Sequence, residues 1–201
     1  MLKREGSETQ RRMASHIYDN GQNLLNMLTR IIEYSKVETG TLSLMPSECD
    51  VKSEIECCLE ELGENDRIIL ELNVDELVFV TDAHILKRIL TELVSNALAF
   101  SPEPSEATIS VSWESKESGK EILRIDVRNK GPEIPPEKMT EIFMPGGKAG
   151  MYAKGYKEGL GLGLAYASQA AKLLNGSLTV SSTENSGNVF SLLLRSMNDH
   201  C

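Results

Sequence analysis

The sequence predicts an α+β sandwich, in which antiparallel strand pairs and helices share one face of a sheet, preceded by a long helical stalk. Three observations carry this. Apolar residues recur at steps of four and three through the first 36 positions. Two later stretches alternate apolar and polar residues on either side of a short Ser-Gly turn. The helical stretches between strands do not follow the repeating order of a doubly wound sheet.

The stalk comes first. Residues 1–7 are charged and small and begin no regular element. From about Glu8 to Lys36, Met13, Ile17, Leu24, Met27, Ile31 and Tyr34 keep helical spacing, and Leu25, Leu28 and Ile32 widen the stripe. A stripe this broad suits a helix that touches two neighbours in a bundle, so a homodimer of the intact protein is expected. Asn20 and Gly21 interrupt it, the glycine at a cost near ~1 kcal/mol. Gly40 supplies the stop, and a boundary falls between stalk (1–42) and compact domain (43–201).

In the compact part, Pro46 and Asp50 announce a helix over Val51–Leu62, with Ile55, Cys58, Leu59 and Leu62 apolar. Ile68–Leu72 and Leu77–Val80 read as strands. A helix over Asp82–Phe100 buries Ile85, Leu86, Ile89, Leu90, Leu93, Val94 and Ala97. Ala107–Ser115 and Glu121–Arg128 form a hairpin. A glycine-rich stretch, 146–163, leads to a helix over Leu164–Leu174 that Asn175-Gly176 stops, and Ser177–Ser182 with Val189–Leu194 make a last hairpin.

Composition narrows the function. A net charge of -9, from 21 Lys and Arg against 30 Asp and Glu, argues against nucleic acid as a partner. No apolar run exceeds four residues, whereas a membrane span needs about 20. Cys49, Cys57, Cys58 and Cys201 form no C-x-x-C pair and read as idle thiols of a reducing compartment such as the cytoplasm.

Three clusters carry chemistry. In Glu92-Leu93-Val94-Ser95-Asn96-Ala97 the four-residue spacing puts a carboxylate and an amide on one helix face. The carboxylate can polarise a hydroxyl, and the amide oxygen is a hard ligand for Mg²⁺. Alone, such a pair is usually a solvated face. Asn129-Lys130-Gly131-Pro132-Glu133-Ile134-Pro135 sets a polar side chain at a strand end before a glycine, a place to meet a base edge; alone, a Gly-Pro turn is the plainer reading. Gly159-Leu160-Gly161-Leu162-Gly163-Leu164 leaves bare backbone N–H groups where a helix begins, which is an anion site; alone, it could be only a connector.

In this order and spacing, the clusters resemble the sensor histidine kinases, and more widely the ATPases shared with gyrase, the mismatch-repair proteins and pyruvate dehydrogenase kinase. Residues 92–101 resemble the N box, 129–135 the first glycine box, Glu141-Ile142-Phe143-Met144-Pro145 the F box, and 159–164 the second glycine box. The stretch Ile32-Glu33-Tyr34-Ser35-Lys36-Val37-Glu38-Thr39-Gly40 is similar to the exit of the second dimerisation-hairpin helix.

The resemblance implies a mixed, mainly antiparallel sheet covered on one face by about three helices, binding ATP and Mg²⁺. It makes Glu92 the general-base candidate and Asn96 the Mg²⁺ ligand, and sets Asn129 against the adenine amino group with Gly131 letting the base approach. Phe100 and Ile134 join the ATP-binding set; Gly159, Leu160, Gly161, Leu162 and Gly163 line the phosphates; and 146–158 is the lid, with Lys148, Lys154 and Lys157 as phosphate partners. It also implies phosphoryl transfer to a histidine, then onward to the receiver domain of a response regulator.

The chain departs from the pattern in places. Asn129 stands where the family usually has Asp, which forfeits a charge-assisted hydrogen bond of roughly 1–3 kcal/mol. Glu133 replaces a glycine, and Ala99 a frequent lysine. These motivate a second reading, a nucleotide-poor interaction scaffold on the same fold. None of His16, His84 and His200 has the acidic neighbour and following proline of a phosphoacceptor, so the acceptor is expected outside this chain.

Overall fold

The computed structural model describes residues 8–63, 65–74, 77–115, 121–147 and 160–197. Its elements are α1 (Glu8–Glu38), β1 (Ser47–Asp50), α2 (Val51–Leu62), β2 (Ile68–Leu72), β3 (Val78–Thr81), α3 (Ala83–Phe100), β4 (Ala107–Ser115), β5 (Glu121–Asn129), α4 (Gly163–Leu173), β6 (Ser177–Thr183) and β7 (Gly187–Arg195). Five strands form one sheet in the order β2-β4-β5-β7-β6, antiparallel except where β2 runs parallel to β4. Helices α3 and α4 lie against it and α2 lies against α3, the expected two-layer arrangement.

Period-two alternation builds the core. Ile109 and Val111 on β4, Leu123, Ile125 and Val127 on β5, and Phe190, Leu192 and Leu194 on β7 are buried in cross-strand rows. Every residue expected on the buried side of α3 is buried, and Glu92 is buried with them. Asp82 caps α3: its Oδ1 accepts the Ile85 N–H at 3.1 Å, and its Oδ2 accepts the Met45 N–H at 2.8 Å, tying the chain after the stalk to this helix.

The structure corrects several bounds. β1 is absent from the sequence expectation; it pairs antiparallel with β3 in a separate two-stranded sheet. Leu77 does not begin β3, because its carbonyl accepts the Val51 N–H at 2.9 Å where α2 starts. β5 runs one residue further, to Asn129, and β7 begins two earlier, at Gly187.

Along α1 only Tyr34 and Val37 are buried. The apolar stripe above them stands in solvent in the single chain, from Ile31 at 45% exposed to Ile17 at 74%. Among the described residues no helix is long and apolar enough to cross a membrane. Cys49 and Cys58 are buried free thiols and Cys57 an exposed one; Cys201 lies outside the described residues. His16 and His84 are exposed on α1 and on the first turn of α3, and His200 is also outside.

Candidate nucleotide site

Glu92, Asn96 and Phe100 follow one another at steps of four along α3, so they share a face and span about 12 Å of helix. Each end of that face meets a different part of the sheet layer.

At the Phe100 end, the rows that bury the core continue into polar residues. Asn129 is paired with Asn188, and Asn188 with Ser182, in one line across β5, β7 and β6. Both amides are buried, Asn129 at 2% exposed and Asn188 at 3%. The Ile134 N–H donates to Ser182 Oγ at 2.8 Å, Ser182 Oγ–H donates to Asn188 Oδ1 at 2.5 Å, and Asn188 Nδ2 donates to the Pro132 carbonyl at 3.1 Å. Asn129 Oδ1 is buried and has no hydrogen-bond partner. Gly131 lies where these groups converge: a Cβ there would stand 2.6 Å from Asn129 Nδ2, 3.0 Å from Asn188 Nδ2 and 3.2 Å from Phe100 Cβ. Only a bare backbone fits.

At the other end, Glu92 is 5% exposed and heavily paired. Its Oε1 lies 2.9 Å from Arg88 and 3.6 Å from Arg30 of the stalk. Arg88 also reaches Glu33 of α1 at 3.2 Å, and its guanidinium carbon stands 5.6 Å from the centre of the Tyr166 ring on α4. Burial, with Glu33 adding to it, pushes the Tyr166 hydroxyl up to about 12. The Glu92 carboxylate lies against Gly163, where a Cβ would collide with it. That contact puts a negative charge at the start of α4, the end of the helix dipole that favours one. Unlike α2 and α3, which Asp50 and Asp82 cap, α4 has Leu162 at its N-cap position and no side-chain cap.

The segment joining the two glycine-bearing stretches is closed at its base. The Gly146 N–H donates to the Gly161 carbonyl at 3.1 Å, and both glycines take the left-handed conformation, at φ 72° and 67°. Ile134 is buried, while Asn96, Leu160 and Leu162 are half-buried. Lys148, Lys154, Lys157 and Gly159 lie outside the described residues. The structure therefore brings Phe100, Asn129 and Gly131 together at one end of the α3 face, and Glu92, Leu162 and Gly163 at the other. Ser182, Asn188, Arg88, Arg30 and Tyr166 join the site only through the fold. Only the Arg88–Glu92 pair carried a local signal, its four-residue spacing.

Residues 81–197, more than half of the chain, match the family of histidine kinase-, DNA gyrase B- and HSP90-like ATPases. The chain belongs to this ATPase family. Among its curated relatives are the sensor protein KdpD of Rathayibacter rathayi, 30% identical over 80% of this chain and 18% of that one. Another is the sensor protein TorS of Escherichia coli K12, 29% identical over 89% of this chain and 19% of that one. The chain thus spans about a fifth of the length of each of these two relatives. The crystal structure of full-length ShkA in complex with AMPPNP has the same fold, with a TM-score of 0.78 at 18% identity over 94% of this chain and 40% of that one. Within the ATPase family the chain is similar to sensor proteins, and the scaffold reading is not favoured.

Proposed function

We propose that this ATPase domain binds Mg-ATP along the α3 face and donates its γ-phosphoryl to a histidine outside the chain. The supporting observation is the arrangement of that face, with a buried, unpartnered amide oxygen near Phe100 and an uncapped helix start beyond Glu92. Asn129 then meets the base, Gly131 lets it approach, and Phe100 and Ile134 flank it. The backbone of 159–163 lines the phosphates, and Lys148, Lys154 and Lys157 of the lid, 146–158, draw their charge inward.

Magnesium fits this donor set. Among the described residues no cluster of three acidic, His or Cys side chains could hold a metal on its own, and Mg²⁺ commonly takes only one or two protein oxygens beside phosphates and water. Asn96 supplies one such oxygen. When bound, the ion neutralises charge on the phosphates.

Glu92 is the proposed general base. In the structure Arg88 and Arg30 both hold its Oε1, and Oε2, the oxygen beside Gly163, is the one offered to the proton. The stalk, 1–42, forms a helical bundle with a second copy through its exposed stripe, and 43–201 is the catalytic unit. A receiver domain of a response regulator takes the phosphoryl group onward. Equilibrium binding of Mg-ATP to the purified chain tests the central claim: saturable binding is expected, and none at millimolar nucleotide would remove it.

A further inference from the structure

We propose that the base end of this site accepts 6-oxopurines as well as adenine, so that GTP occupies it with an affinity comparable to that of ATP. The inference rests on the nucleotide reading above and concerns which base the site selects.

A carboxylate at position 129 could only accept hydrogen bonds. It would favour the amino group of adenine and repel the carbonyl of guanine. Asn129 offers both a donor and an acceptor. Its surroundings decide whether both can be used. Ser182 Oγ already accepts the Ile134 N–H, so its own hydrogen points to Asn188 Oδ1. Asn188 is thereby fixed with its oxygen toward Ser182 and its nitrogen toward the Pro132 carbonyl. That nitrogen has two hydrogens, and Pro132 takes one.

No such chain fixes Asn129. Its Oδ1 is buried without a partner, and its Nδ2 converges with Asn188 Nδ2 on the point above Gly131. With Oδ1 turned to the ligand, the amide accepts from the amino group of adenine. Turned half a circle, it donates from Nδ2 to the 6-oxo group of guanine, and Oδ1 faces the nitrogen side of Asn188. Neither orientation leaves like atoms opposed at the base, so the site lacks the repulsive element that selectivity requires.

The test is competitive equilibrium binding of ATP, GTP and ITP to the chain in the presence of Mg²⁺, with the wild type and Asn129→Asp. The expected result is wild-type affinities for the three within about tenfold of one another, and a preference of the variant for ATP over GTP that widens at least tenfold. Tight ATP binding with GTP and ITP more than a hundredfold weaker in the wild type would overturn the inference and leave the nucleotide reading standing. A folded Asn129→Asp chain whose preference does not widen would overturn the assignment to Asn129. Binding of none of the three at millimolar concentration would overturn both readings. If the variant does not fold, the wild-type comparison decides alone.

Discussion

Gly163 and Glu92 share a space that admits no extra atom. A methyl group at Gly163 would displace the carboxylate from the start of α4 and from Arg88 and Arg30 together. Gly163→Ala is therefore expected to lower stability by about 1–3 kcal/mol, as overfilled sites do. It should also weaken Mg-ATP binding at least tenfold; melting curves with and without nucleotide separate the two effects. A variant with wild-type melting and wild-type affinity would show that Glu92 has room to move. At this scale the sequence was legible where one short stretch held the whole signal. Gly131 next to Asn129 at a strand end is such a case. Asn188 and Ser182 were not legible, because they join Asn129 only through strand register, more than 50 positions along the chain. Glu92 showed its helix face but not its burial, since one of its partners, Arg30, comes from the stalk.

Helix α1 carries two different surfaces. Its last turns bury Tyr34 and Val37 and hold α3 through the Glu33–Arg88 and Arg30–Glu92 pairs, while its upper part exposes Met13, Ile17, Leu24, Leu25 and Leu28. Contiguous apolar exposure of this kind marks an association surface. Leu24→Glu combined with Leu28→Glu should convert a self-associating chain to a monomer in sedimentation and leave the main melting transition in place. An unchanged oligomeric state would reject the stripe as the interface. The helices and the long hairpins were readable from their periodicity, with bounds that moved by one or two residues. β1 was not, because Ser47-Glu48-Cys49-Asp50 is short and polar and is a strand only by its pairing with β3. Nor does a sequence of this kind reveal that β2 runs parallel to β4, which the path of the chain around α3 decides.

Over the whole molecule, buried acids shape the behaviour at high pH: burial raises Cys58 and Tyr34, and Cys49 and Tyr166 are raised furthest. Burial raises the Cys49 thiol from 9.0 to about 11, with Glu54, Asp50 and Asp82 adding to it, and the Tyr166 hydroxyl from 10.0 to about 12. Both keep their protons in the folded chain at a pH where the unfolded chain has lost them. Their contribution to stability is thus complete below about pH 9 and declines as pH climbs through 9–12. Melting temperature should fall across that window, and Cys49→Ala with Tyr166→Phe should flatten the fall even if it lowers the starting value. An equally steep decline in the double variant would place the alkaline sensitivity elsewhere.

The hydrogen bond between Gly146 and Gly161 makes those two residues the clasp of a ring. Whatever number of residues the ring contains, its ends meet the domain at the same two points. Doubling the length of such a closed segment costs only about 0.6 kcal/mol in chain entropy. Segments of very different length could therefore be exchanged between these two points without moving the clasp itself.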